Sequence, residues 1–340
     1  MSERLGTALR RSPDVGSMNT VLVVRPSSLG DIVYALAIAS DIRRHKPELA
    51  IDWVAERGFV PLLEMCPDIR RVIPFALRRW RQAPLSRATW REIAAFRRQI
   101  KTNRYAAILD LQEQMKGALI ARAARGRRHG FDRTTVREPI VTLAHDVHHR
   151  VPRHLHFVER CRYLAASALR YTLDGPPRWH IVPPPAAPAI PERPYAVLLH
   201  ATSRAEKLWP EERWRALVVH FSDAGYAVVL PWGTHDEEMR SRRLADGHDH
   251  AVVPPWLSLP EAATTLARAD VVVGIDTGFT HLAAALGTPT VALFLATDPI
   301  VHGVRCAGMH ARDLGGEGNV PSVETVIAAT GDLMRRLPHC

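Results

Sequence analysis

Two glycine-bearing turns carry the polar residues from which chemistry can be built. In Val271-Val-Val-Gly-Ile-Asp276-Thr277-Gly278-Phe-Thr280-His281 an apolar, β-branched run passes through a short polar turn into the alanine-rich residues 282–287. That pattern reads as strand, tight loop and helix N-terminus. The unpaired N–H groups of a first helical turn, with the positive end of the dipole, favour an anion such as phosphate. Gly278 would let a ligand approach the backbone, and Asp276, Thr277, Thr280 and His281 supply hydrogen-bonding side chains around it. The competing role for Asp276 or Thr277 is to cap the helix. Asp31, at the end of Ser27-Ser28-Leu-Gly30-Asp31, holds a similar loop-to-helix position. It can act as a general base, taking a proton from an acceptor hydroxyl within hydrogen-bond reach, or as the N-cap of a helix opening at Ile32.

Two more polar loops follow apolar runs. His200-Ala-Thr202-Ser203-Arg-Ala-Glu-Lys207-Leu-Trp209-Pro210 offers two hydroxyls for phosphate oxygens and, in Lys207, a point charge for a pyrophosphate. A solvated loop is the alternative. In Pro231-Trp232-Gly233-Thr-His-Asp-Glu237-Glu238, Trp232 can wall an adenine and Glu237 can accept from ribose hydroxyls. A core tryptophan and a helix-start glutamate are the other readings. His148-His149 and His154-x-His156 lack the carboxylate or cysteine partners of a metal site and read as histidines of basic loops. No Asp-x-Asp pair stands in a metal-binding context, so no metal site is assigned.

Such loops need a scaffold of alternating strands and helices. Residues 20–24, 51–55 and 106–110 read as short buried strands, with helices over 32–44, 89–102 and 116–124. The pattern then repeats, with strands over 195–199, 227–230, 271–274 and 290–294 and helices over 210–223, 237–245 and 323–337. Pro210, followed by Glu211 and Glu212, is a helix-start signal. Between the halves, Pro183-Pro-Pro-Ala-Ala-Pro-Ala-Ile-Pro191 can enter neither a helix interior nor a central strand, and suits a semi-rigid linker and hinge. The expected organisation is a disordered extension over 1–17, an N-terminal Rossmann-like domain over 18–182, a linker over 183–194 and a C-terminal Rossmann-like domain over 195–340. The last helix is placed to pack back on the first domain. Two facing α/β domains of this kind leave a cleft where loops at strand carboxyl ends converge. A Rossmann dehydrogenase is excluded, because the first strand runs into Arg-Pro-Ser-Ser-Leu-Gly with no Gly-x-Gly-x-x-Gly.

A chain of 340 residues has room for two cores, and its formal charge of +10 calls for an acidic partner. Nucleic acid, anionic lipid and phosphorylated small molecules all qualify. Residues 78–104 hold nine basic side chains against the single acid Glu92, with Trp80 and Trp90 interleaved. No nucleic-acid motif accompanies them, and an anionic glycolipid suits the same chemistry, so nucleic acid is set aside. Cys66, Cys161, Cys306 and Cys340 are scattered and read as reduced thiols of a cytoplasmic protein. The first 17 residues lack an apolar core, and the hydrophobic stretch 271–296 is broken by Asp276 and His281. Neither a signal peptide nor a membrane span is expected.

Taken in order, Ser27-Ser-Leu-Gly-Asp31, Arg78-Arg-Trp-Arg81, His200-Ala-Thr-Ser with Lys207-x-Trp-Pro210, Pro231-Trp-Gly233 and Asp276-Thr-Gly-x-x-His281 resemble the ADP-heptose lipopolysaccharide glycosyltransferases over about residues 18–327. The resemblance implies a GT-B fold and ADP-heptose as donor, with no obligatory cofactor. It implies inverting transfer of L-glycero-D-manno-heptose to a Kdo residue of Kdo-lipid A in lipopolysaccharide inner-core synthesis. The alternative within the family is addition of the second heptose to a heptosylated acceptor. Asp31 falls at the catalytic base. Thr202, Ser203, Lys207, Glu237, Asp276, Thr277, Gly278 and His281 fall at donor-binding positions. Ser28, Gly30, Arg78, Arg79 and Arg81 fall where the acidic acceptor is met. A peripheral location at the cytoplasmic face of the inner membrane, through the basic surface, follows as an expectation. The chain departs from the family at Leu295-Ala-Thr-Asp-Pro299, usually Gly-Pro-Thr-Asp-Pro, and at Thr202-Ser203, often Thr-Thr.

Overall fold

The structure, a computed structural model, describes residues 19–187, 191–192, 194–202, 204–306 and 310–335. The extension expected over 1–17, the centre of the Pro-rich segment and Ser203 lie outside these residues.

Among the described residues, twelve strands build two six-stranded sheets. The first contains β1 (Thr20–Val24), β2 (Ala50–Glu56), β3 (Ile69–Phe75), β4 (Arg104–Asp110), β5 (Arg125–Phe131) and β6 (Val147–His149), in the order β3-β2-β1-β4-β5-β6. The second contains β7 (Tyr195–Leu199), β8 (Ala227–Val229), β9 (Ala251–Val252), β10 (Val271–Ile275), β11 (Thr290–Phe294) and β12 (Ala311–Gly315), in the order β12-β11-β10-β7-β8-β9. Every pairing within them is parallel. Counted within each half, the orders are the same doubly wound arrangement. Each sheet therefore has a switch point, between β1 and β4 in one and β7 and β10 in the other, where ligands of open α/β sheets bind. This is the GT-B arrangement of two Rossmann-like units.

The central strands β1, β7, β10 and β11 are buried along their whole length, as expected of strands covered on both faces. The helix Leu29–His45 is apolar on most sides because it is buried on most sides. Ile32, Leu36, Ile38 and Ile42 are inaccessible, and the helix packs against both Phe157–Leu169 and, across the two halves, Gly278–Ala285. One apolar core consequently runs from Val21 and Trp53 through to Val197, Leu199 and Leu282.

The elements missed by pattern include polar strands as well as the helices Phe157–Leu169 and Leu259–Ala267. β5 reads Arg-Gly-Arg-Arg-His-Gly-Phe and is exposed at its first residue, becoming buried only toward Phe131. β3 contains Pro74, which a sheet tolerates because β3 is an edge strand. Pro210 proves to be the N-cap of Glu211–Asp223 rather than a residue inside it. The last helix, Val323–Arg335, seats Val326, Ala329 and Leu333 in the core of the second sheet, against β10 and β11, instead of crossing to the first domain. Its apolar stripe has a complete partner surface within its own half.

Candidate active site

The loop leaving β7 and the loop leaving β10 meet at the second switch point. Lys207 ends the short 3-10 turn Ala205–Lys207 and places its Nζ 2.5 Å from Asp276 Oδ2. Thr297 Oγ1 donates to the same oxygen at 2.7 Å, and His281 Nε2 lies 3.3 Å from Oδ1. Burial pushes the Asp276 carboxyl up, but hydrogen bonds from His281, Lys207 and Thr297 outweigh it and hold the group well below the usual carboxylate range. Asp276 is thus fully engaged in the site and does not cap the helix. Thr277 occupies the N-cap position of Gly278–Ala285, without a side-chain cap bond. Thr280 turns inward and donates to Ile275 O, so it is not available to a ligand. Gly278 meets a close approach that the sequence did not show. A Cβ there would meet Leu29 of the other half, so the glycine admits a helix, and it also lines the cavity between the halves.

Asp31 stands opposite, on the first domain. The helix opens at Leu29 with Ser28 as N-cap, which makes Asp31 the third helical residue and not the cap itself. Its Oδ2 accepts from Ser28 N at 3.0 Å and from Ser28 Oγ at 2.8 Å, while Oδ1 faces the Arg25 guanidinium at 2.8 Å. Burial raises this carboxyl, yet Arg25 and the Ser28 bonds leave it below its ordinary value. It is ionised at neutral pH and can accept a proton. Behind it Lys116, from the helix after β4, donates to Ser27 Oγ at 2.6 Å. Burial and the Arg25 charge lower the Lys116 ammonium, against the pull of Asp31 and Glu56. Arg78, Arg79 and Arg81 all sit exposed on the short helix Leu77–Gln82; Arg79 pairs with Glu92, and the Arg78 charge is felt at Glu56 and Lys116.

Two cavities connect these groups. One, of about 440 Å³, lies between the halves and is lined by Ser28, Gly30, Asp31 and Tyr34 on one side and Lys207, Asp276, Gly278 and His281 on the other. The second, of about 270 Å³, is an apolar slot in the C-terminal half walled by Leu199, Pro231, Trp232, Leu257 and Phe279, with Glu237 at its edge. Thr202 and Thr277 line both. Trp232 is half-buried there, its Nε1 donating to Pro254 O at 2.8 Å, so it is a wall and not a core residue. Glu237 closes a capping box with Thr234 and accepts from Gly233 N at 2.8 Å. The helix-start and cavity-edge readings of Glu237 therefore both hold geometrically. Shape and polarity suit a flat base in the slot, an anion at the shared threonines and an acyclic or cyclic polyol near Asp31.

A model of Glycosyltransferase family 9 (heptosyltransferase) matches residues 93–312. Lipopolysaccharide heptosyltransferase 1 of Salmonella typhimurium is 41% identical over 287 residues, which span 82% of this chain and 89% of that protein. The chain belongs to glycosyltransferase family 9. Its family 9 relatives include lipopolysaccharide heptosyltransferase 1 of Pseudomonas aeruginosa, 39% identical over 82% of this chain and 79% of that one. Among solved structures, the E. coli heptosyltransferase WaaC with ADP superposes with a TM-score of 0.84 at 36% identity, covering 92% of this chain and 99% of that chain. E. coli ADP-heptose lps heptosyltransferase II, at 21% identity and a TM-score of 0.70, shares the fold.

Several family 9 site neighbours escaped the sequence. Arg25, Lys116 and Tyr34 carry no motif of their own, and Thr297 stands in the Leu295-Ala-Thr-Asp-Pro299 segment without having been singled out as a site residue. Arg25 and Lys116 were nevertheless findable, since each follows a strand that borders the first switch point. The histidines assigned to basic loops are partly structural. His149 is buried between His129 and Ser167, and His156 caps the helix Phe157–Leu169 while bonding Gly303 O of the other half at 2.8 Å. Trp80 likewise is no surface aromatic, being packed against Phe75 and Phe96 with its Nε1 on Glu92. Among the described residues no cluster of three or more His, Cys, Asp or Glu is arranged for a metal, and no helix is long and apolar enough to cross a membrane.

Proposed function

We propose that the chain transfers L-glycero-D-manno-heptose from ADP-heptose to a Kdo residue of Kdo-lipid A, with inversion, as the first heptose of the lipopolysaccharide inner core. The observation that carries the reading is the pair of threonines, Thr202 and Thr277, shared by an apolar slot and by the cavity that holds Asp31. A nucleoside diphosphate sugar laid along that path has adenine against Trp232, ribose at Glu237, diphosphate at the threonines and its sugar facing Asp31. The relatives at 39–41% identity are all named lipopolysaccharide heptosyltransferase 1, which favours the first heptose over the second.

In one displacement, the acceptor hydroxyl oxygen bonds to the heptose anomeric carbon as the bond from that carbon to the β-phosphate oxygen breaks. Asp31 takes the hydroxyl proton and ADP leaves with the electron pair. Charge growing on the diphosphate is met by Lys207, by the hydroxyls of Thr202, Ser203 and Thr277, and by the N-terminus of Gly278–Ala285, which together replace a metal in that role. Asp276 and His281 hold Lys207 and the loop in position. Ser28, Gly30, Arg78, Arg79 and Arg81 border the acceptor's approach, the arginines answering its negative charge. The acceptor's lipid places the enzyme peripherally at the cytoplasmic face of the inner membrane. The test is ADP release from ADP-heptose with unheptosylated Kdo-lipid A in one reaction and mono-heptosylated acceptor in another. Turnover in the first alone is expected; turnover in the second alone reassigns the chain to the second heptose, and silence in both removes the reading.

A further inference from the structure

We propose that Met115, Leu119, Ile140 and Leu143 form a strip that enters the interfacial layer of an anionic bilayer and holds the acceptor mouth against the membrane. The proposal rests on the lipid-linked acceptor given above and adds the surface that meets its membrane.

Met115 and Leu119 are four residues apart on the helix Met115–Ala123, hence on one face, and are 43% and 62% exposed. Ile140 and Leu143 are three apart on the 3-10 segment Pro139–Ala144, where three residues complete a turn, and are 56% and 76% exposed. The two segments pack together, and Glu138 at the start of the second accepts from Met115 N at 2.9 Å. Each segment also has a proper inner face, with Ala118 and Ala121 on one and Val141 and Ala144 on the other buried. The outer side chains are therefore surplus to the fold, and four large apolar groups brought together on a surface mark a place of association.

Position and charge select the partner. Lys116, next to Met115, reaches Ser27 behind Asp31, and Arg137, two residues before Pro139, lines the cavity between the halves. The strip thus begins at the mouth where the acceptor must arrive. Beside it runs the helix Arg87–Lys101, which packs on Met115–Ala123 and exposes Arg87, Arg91, Arg97 and Arg98. An apolar strip with a basic border fits anionic headgroups over acyl chains. It does not fit a second copy of a chain carrying +10, whose basic borders would face one another.

The experiment is co-sedimentation of the full chain with vesicles of phosphatidylcholine containing phosphatidylglycerol, alongside ADP release with vesicle-embedded acceptor and with a de-acylated, water-soluble acceptor. Leu119→Glu with Leu143→Glu is expected to weaken vesicle partitioning roughly tenfold or more. It should cut turnover on the embedded acceptor in proportion and leave turnover on the soluble acceptor and the melting temperature unchanged. Val219→Glu with Val320→Glu, both exposed on the second half, is the charge-matched control. Vesicle binding by the double variant equal to wild type overturns the proposal. So does a change confined to a concentration-dependent dimer in sedimentation. A wild type that binds vesicles yet releases no ADP with either acceptor would instead sink the functional reading.

Discussion

Lys207 Nζ lies 2.5 Å from Asp276 Oδ2, tying the loop after β7 to the loop after β10 at the switch point of the second sheet. An ammonium fixed in that way, beside Thr202 and Thr277, needs no reorganisation when charge grows on a leaving diphosphate. Lys207→Ala is expected to lower kcat/KM for ADP release by about 10²–10³-fold, the scale of losing one pre-positioned charge stabiliser. Lys207→Arg should recover part of it, because the charge returns without the compact geometry. Steady-state assays on both variants check this, and wild-type turnover in Lys207→Ala removes the residue from the reaction.

The same carboxylate makes a prediction about stability. Asp276 has a folded pKa well below its ordinary 3.8, so its contribution is present above 3.8 and is lost as pH falls from there toward the folded value. Asp276→Asn has no such dependence. The variant should melt below wild type at pH 7, and the gap should narrow as pH drops under 4. Thermal melts across pH 7 to 3 report the difference, and a gap that stays constant would mean that the ion pair with Lys207 contributes nothing through ionisation.

Asp31 predicts the acid side of the activity profile. Its pKa is also lowered, by Arg25 and Ser28 against the effect of burial, so the acid limb of kcat/KM lies below the ordinary aspartate value of 3.8. Arg25 acts on Asp31 without bordering the cavity between the halves, which makes it a positioning residue. Arg25→Gln removes the opposing charge and leaves burial to dominate, so the acid limb should move upward. Asp31→Asn should lose about 10²–10⁴-fold, the usual worth of a general base. A pH profile of Arg25→Gln that superposes on wild type would show that the ion pair does not tune Asp31.

How far the sequence carried this reading depended on where each side chain faces. β1, β7 and β11 were legible to the residue because each is a short apolar run buried on both faces. β5 was not, because its arginines line an incompletely covered part of the sheet and its strand character comes from pairing with β4 and β6. Within the site, the glycine-bearing turns gave Asp31 and Asp276, and the polar loop after β7 gave Lys207. Their partners Arg25 and Thr297, and Tyr34 on His281, are contributed from elsewhere in the chain, and only the fold brings them together. Gly278 shows the same limit from the other direction. Its type announced a close approach, but the sequence could not say that the approaching group was Leu29.

That approach gives a graded test. A Cβ on Gly278 would lie 2.7 Å from Leu29 Cβ and 2.9 Å from Gly30 N, so backbone of the opposite half would have to move. Gly278→Ala is expected to cost about 1–3 kcal/mol, as overpacking does in a closely fitted core. Gly30→Ala faces the same boundary, but its nearest contact is the His281 ring edge at 3.2 Å, which can give by a few tenths of an ångström. Gly30 also lies within the helix Leu29–His45, where alanine is favoured over glycine by up to about 1 kcal/mol, offsetting the contact. Chemical denaturation of the two variants should therefore rank Gly278→Ala clearly below Gly30→Ala, with the latter near wild type. Equal losses would mean that the halves adjust freely at this boundary, and the helix–helix contact could then not be what fixes Asp31 opposite Lys207.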